Sequence, residues 1–175
     1  MTSNMTAPTS FDWDAAAFFK RLCAANRFAV DNHFAFRLVS SLEGFQSALE
    51  NLASTTAIVA VSDSSQGSID LDNTPHTRRV KTVFLAMRHA VDRADARARA
   101  LDKLRELFRQ FMSVLILEKT RLEQNCIYLD SRVSFNEIDR YFFTGCACAY
   151  FQIAVDTYTD LQYNPDEWLS TTENQ

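Results

Sequence analysis

The stretch GCACAYFQIAVDTYTDL, from Gly145 to Leu161, constrains the fold more than any other part of the chain. Ala147, Ala149, Phe151, Ile153 and Val155 recur at a period of two, while Cys146, Cys148, Tyr150, Gln152, Asp156, Tyr158 and Asp160 fall on the opposite face. One apolar face and one mixed face define a strand laid on a core. At about 3.3 Å per residue such a run reaches roughly 50 Å, whereas ordinary strands hold about 3 to 10 residues. The excess length predicts that the outer half of the strand projects beyond its own domain.

The other elements follow from period and punctuation. Residues 1–10 are small and polar and read as disordered. Ser10 then caps a helix with Asp12 and Asp14 in its first turn, running to about Asn32 with Ala15, Phe18, Phe19, Leu22 and Cys23 as its stripe. FAFRLV alternates Phe34, Phe36 and Leu38 as a short strand. Ser41 caps a second helix with the stripe Leu42, Phe45, Leu49 and Leu52, in which Gly44 costs about 1 kcal/mol relative to Ala. AIVAV, from Ala57 to Val61, is a strand covered on both faces. The polar segment from Ser62 to Thr77 exceeds the roughly 12 to 15 residues of ordinary connections and reads as a mobile surface loop, with Ser64, Gly67, Asp72 and Asn73 in it.

RRVKTVFLAMR, from Arg78 to Arg88, is a second long strand. Asp92 opens the longest helix, reaching about Gln124 on the stripe Ala94, Ala98, Leu101, Leu104, Phe108, Phe111 and Leu115. Ile127 to Ile138 then pairs with the run from Gly145 as a long C-terminal hairpin through DRYFFT. This order predicts an α+β fold: one mixed or antiparallel sheet with helices on one face. A single domain is expected over residues 11–163, with residues 164–175 as a C-terminal tail.

Composition narrows the function classes. A chain of 175 residues with 47% hydrophobic content suffices for one core. Against 14 Phe it has 3 Gly, few for the tight turns of phosphate loops, which disfavours nucleotide chemistry. A net charge of -4 gives no general attraction to nucleic acid or anionic membrane. MTSNMTAPTS lacks the basic and apolar regions of a secretion signal, and no apolar run approaches about 18 residues, so synthesis and residence in the cytoplasm are expected. Cys23, Cys126, Cys146 and Cys148 read as thiols rather than a disulfide framework.

Candidate chemistry is sparse. Cys126, Cys146 and Cys148 offer thiolates to zinc, but without Cys-x2-Cys spacing or a fourth ligand they read as packing thiols. His33, His76 and His89 are scattered, and Ser62 to Ser65 lack a nucleophile elbow. Asp156, Asp160, Asp166 and Glu167 cluster without the glycine-containing loop of a calcium site. No catalytic residue, metal or cofactor is therefore expected. The charge run on the long helix has two readings, a solvated face built from pairs such as Asp95 with Arg99, or a basic contact surface carrying Arg93, Arg97 and Arg105. An acidic hairpin end with Asp156, Tyr158 and Asp160 would complement the second, suiting head-to-tail association into a ring.

From Ala57 to Leu161 the order of AIVAV, loop, RRVKTVFLAMR, long helix, SRVSFNEI and FTGCACAYFQIAVDTYTDL resembles the small tail-terminator or tail-completion proteins of long-tailed bacteriophages and prophages. The likeness lies in element order and strand pattern. It implies a non-enzymatic virion subunit that forms a homo-oligomeric ring, commonly of six, at the end of the tail tube. The partners implied are copies of itself and tail tube, sheath or neck proteins, with no membrane and no specific nucleic acid. The leading segment from Phe11 to Leu52 and the closing NPDEWLSTTENQ exceed a minimal member, and either would serve a neighbouring virion protein. A different neck or tail adaptor, or a part of a contractile injection apparatus, matches the same features. Two rival readings come from the residues themselves: a small intracellular ligand-binding or regulatory module with a pocket in its aromatic core, and a hydrolase built on the Ser62 to Thr77 loop.

Overall fold

In the computed structural model, which describes residues 13–40, 42–50, 57–71, 76–91, 93, 95–138 and 145–169, the first helix opens at Asp14. The Asp14 carboxylate accepts from the Ala17 N–H at 2.9 Å and caps α1 (Ala15–Ala25). Ser10 and Asp12 lie outside the described residues, as do Ser41, Leu52, Asp92 and Ala94. The helix expected to reach Asn32 breaks at Asn26, whose side chain accepts from Ala29 N–H at 2.7 Å and so caps a second short helix, α2 (Arg27–Asp31). An asparagine side chain competes with the helical ladder for its own backbone, which makes it a better cap than an interior residue.

The remaining elements are β1 (Phe34–Val39), α3 (Leu42–Glu50), β2 (Ala57–Ser62), β3 (Gln66–Ile69), β4 (His76–Arg88), α4 (Ala96–Glu123), β5 (Ile127–Leu129), β6 (Phe135–Ile138) and β7 (Cys146–Tyr158), followed by a 3-10 turn at Pro165–Glu167. The fold is α+β. Among the described residues the strands form one mixed sheet in the order β1-β2-β4-β7-β5, with β3 also on β4 and β6 also on β7. β1 and β2 run parallel; every other pair is antiparallel.

The centre of the sheet is the β4–β7 ladder, in register from His76↔Tyr158 to Arg88↔Cys146. Each of these strands carries two short strands end to end on its outer side: β2 then β3 along β4, and β6 then β5 along β7. The length of β7 is thereby explained within one chain. Its outer half does not project unpaired, as its length suggested, but is held between β4 and β5.

Both outer lines are broken at the same level. Val61 pairs with Val83 and Gln66 with Val80, so two extra residues are looped out between β2 and β3. Leu129 pairs with Val155 and Phe135 with Phe151, which again leaves two extra residues, between β5 and β6. An even insertion keeps every side chain on its face while letting each edge kink. IYLDSRVSFNEI is thus two strands rather than one, because the Asp130 carboxylate accepts from Arg132 N–H at 3.3 Å and turns the chain between them.

On the other edge the Lys81 ammonium donates to the carbonyls of Ser62, Asp63 and Ser64 at 3.2, 2.6 and 3.2 Å. It satisfies groups that the ladder has released. Lys81→Met keeps the aliphatic stem and removes these bonds, so a loss of about 1 to 3 kcal/mol is expected. Faster amide exchange confined to β3 and the preceding turn would show it, and unchanged exchange there would contradict it.

The segment expected as an irregular loop from Ser62 to Thr77 therefore contains a strand, and β4 starts at His76, two residues earlier than the sequence indicates. Ser64 lies in the looped-out turn and Gly67 in β3, opposite Arg79. The β3 side chains are all exposed, so no apolar alternation marks the strand; its backbone bonds to β4 define it. Asp72 and Asn73 lie outside the described residues.

Two cores form on the two sheet faces. Ala147, Ala149, Phe151, Ile153 and Val155 meet Val83, Leu85, Val59 and Val61 beneath α1 and α4. Phe151 is completely buried, with its ring 5.6 Å from Phe19 and 5.1 Å from Phe108. On the other face Ile58, Ala60, Ala86, Cys146 and Cys148 lie beneath α3, where Phe45 stacks on Phe84 at 4.6 Å. The element order implies helices on one face only, and here the structure differs: α1 and α4 share one face, but α3 covers the opposite one. The reason is AIVAV: Ile58 and Ala60 point away from α1 and need their own cover. α3 reaches only the half of that face nearest Cys146; further along, Gln152 and Tyr158 are exposed.

Candidate functional site

The expected contact residues fall at the two ends of the β4–β7 ladder. At the end near Arg88 and Cys146 the chain leads into α4, with Arg93 exposed ahead of the helix and Lys103 exposed in its second turn. Arg97 is not offered outward: it donates to the Ile138 carbonyl at 3.0 Å, and its Nε is buried with no partner among the described residues. Arg105 binds Glu137 of β6 at 2.7 Å and Asp102 at 2.6 Å. Two of the three expected basic contacts therefore fasten α4 to its own sheet. The rest of the charge run follows the solvated reading, with Arg99 bonded to Asp95 and Arg109 to Glu106.

At the far end Asp156 is likewise engaged inside the chain. Arg78 bridges Asp156 at 2.9 Å and Asp130 at 2.7 Å, and its guanidinium holds the Asp130 carboxyl below the usual range. Beside this bridge the His76 ring lies 6.1 Å from Tyr128 and 6.3 Å from Tyr158. Tyr158 is half exposed. Asp160 is exposed and accepts from Gln162 N–H at 2.9 Å. Beyond it Tyr163 stacks on Trp168 at 6.1 Å, and Asp166 and Glu167 form the 3-10 turn.

A cleft of about 420 Å³ opens between the start of α1 and the sheet, with Trp13 and Leu38 as walls and Ile153 and Val155 as floor. Arg79 and Lys81 bring cations to it, alongside Asp14 and Asp63. The Trp13 indole N–H donates to the Glu118 carboxylate at 3.1 Å, and Arg121 grips the same carboxylate through two bonds, at 2.6 and 3.0 Å.

Glu118 is 9% exposed, which is unusual for a carboxylate. The Arg121 bonds hold its carboxyl below the usual range against the opposite push of burial, with help from Trp13 and the Arg21 charge. A lowered folded-state pKa stabilises the native state above the unfolded carboxylate range, and that contribution is lost as pH falls through the folded value. Wild-type stability should therefore drop between pH 5 and lower pH by more than that of Glu118→Gln. Parallel curves for the two proteins would deny Glu118 this role.

Among known proteins, no family model and no curated sequence matches the chain. The cysteines offer no shared metal centre: no group of three or more potential ligands occurs among the described residues. Cys23, Cys146 and Cys148 are buried, and burial pushes the Cys23 thiol up to about 11 and Cys148 to about 12. They behave as small apolar groups. Cys126 is exposed in a turn at φ 57°. No helix among the described residues is long and apolar enough to cross a membrane.

Sequence reasoning missed three polar anchors: Lys81 at the turn, Arg78 between two aspartates, and Glu118 beneath Trp13. One signal was available. Glu118 stands in the stripe Phe111, Leu115, Leu122 at helical spacing, and an acid in an apolar stripe requires a partner. The other two depend on strand register.

Proposed function

We propose that this chain is a non-enzymatic structural subunit of a phage-like tail or neck, a ring-forming terminator or completion protein that assembles through unlike surfaces. The observation that carries the reading is the separation of free charge along one rigid ladder. Exposed Arg93 and Lys103 lie about the start of α4, where Arg88 is instead held by the Leu49 carbonyl at 2.8 Å, and exposed Asp160, Asp166 and Glu167 follow the other end. Ends joined by a ladder of twelve steps at about 3.3 Å are roughly 40 Å apart. A subunit with complementary ends repeats head to tail, and such contacts close into rings when the rotation permits. In this reading the protein resides in the virion and contacts tail tube, sheath or neck proteins.

Sedimentation and mass measurement on the purified 20.0 kDa chain test this. A closed species of several subunits, six by the likeness to tail terminators, is the expected result, visible as rings by negative-stain microscopy. A monomer at every concentration would overturn it. The second reading, a ligand-binding module, is favoured by the cleft at Trp13, whose apolar floor and few converging polar groups suit a small molecule. A monomer whose melting temperature rises with a metabolite would support that reading instead.

A further inference from the structure

Among the described residues β1 forms one edge of the sheet and pairs with β2 alone. Its six residues, FAFRLV, are apolar but for Arg37, with Leu38 55% exposed beside the cleft. Two of its carbonyls are met by side chains rather than by a strand: the Cys23 thiol donates to Phe34 O at 3.4 Å, and Arg37 turns back to donate to Phe36 O at 2.9 Å. An open edge of this kind invites another strand.

The segment after β7 has the matching pattern. Leu161 and Tyr163 are exposed and two residues apart, so in an extended chain they share a face; Asp160 and Gln162 take the other. From Thr159 to Leu169 the segment carries three carboxylates and no cation. On β1 the apolar Phe36 and Leu38 share the cleft face, and Arg37 is exposed on the opposite one. Paired with β1, Leu161 and Tyr163 would lie over Leu38 and the cleft, with Asp160 beside Arg37.

We propose that residues Asp160 to Tyr163 of one copy add as a strand to the free β1 edge of a second copy. This rests on the self-assembling reading above. The chain's own segment is excluded by reach. Leu38, Val61, Val83 and Phe151 are consecutive partners across the sheet, so Tyr158 lies seven residues along and three strand spacings away from Leu38. At about 3.3 Å and 4.8 Å respectively, that is roughly 27 Å. Five residues, Tyr158 to Tyr163, span at most about 18 Å. The acceptor must belong to another molecule, and strand addition supplies both backbone bonds and side-chain selectivity. The local Asp160 to Gln162 bond is exchanged for pairing with β1.

Two experiments on the full chain decide it. In the first, Leu161→Ser with Tyr163→Ser removes two exposed apolar side chains; self-association should weaken at least about tenfold with the circular dichroism unchanged. In the second, Leu38→Cys with Leu161→Cys in a Cys126→Ser background is treated with a short bis-maleimide. Products at two or more subunit masses are expected, with none from either single cysteine. Unchanged association of the serine variant, or cross-linked product confined to one subunit mass, would overturn strand addition while leaving the ring reading intact. Cross-linking that stops at a closed dimer would keep strand addition and remove the ring.

Discussion

Replacing Phe151 by Ala is expected to destabilise the protein by about 3 to 5 kcal/mol. The ring is fully buried where three elements converge: Phe19 from α1 at 5.6 Å, Phe108 from α4 at 5.1 Å, and the sheet itself. Phe19 also lies 5.8 Å from Phe111, and Phe108 lies 4.6 Å from Phe135, so the cavity left behind would be lined by rings that already hold one another. Such surroundings collapse poorly, which places the cost high in the range. Denaturant unfolding reads it directly. A loss under about 1 kcal/mol would mean that α1 and α4 do not meet over β7.

The second large effect concerns assembly. In the ring proposed above, Arg93→Glu combined with Lys103→Glu should prevent assembly and leave a folded monomer, because like charges would then face the neighbour's Asp166 and Glu167 at every repeated junction, at a cost of several kcal/mol. Both side chains are exposed, so the fold does not depend on them. Arg97 and Arg105 would be poor choices for this test, since each holds α4 to β6. Asp156→Lys has the same defect, as it would confront Arg78 with a cation and disturb the β4–β7–β5 edge before any neighbour was met. Sedimentation with circular dichroism separates the outcomes, and an unchanged oligomer would remove the basic end from the interface.

What the sequence by itself determined is what depends on local period. The alternation in Gly145 to Leu161 defines β7 and its buried face, AIVAV defines a strand covered on both sides, and the stripe Leu101, Leu104, Phe111 and Leu115 defines the buried side of α4. These patterns hold because burial repeats every two or 3.6 residues, whatever the element packs against. Element ends were less legible. Asn26 divides the first helix through a side-chain bond that competes with the ladder, and Ala98, expected in the α4 stripe, is exposed while Ala100 and Leu107 are buried.

Only the tertiary structure decided which charges are free. Arg97, Arg105 and Asp156 look like contact residues in a charge count, yet each meets a partner 41, 32 or 78 residues away in the chain. β3 is a strand solely because β4 presents backbone groups to it, since polar side chains exposed on an edge leave no period to read. The two-residue kinks in the outer strands appear only when β2 and β3, or β5 and β6, are seen on one partner. Register, edge and pairing are relations between distant segments, and a single chain of letters fixes them through the sum of many contacts rather than through any local pattern.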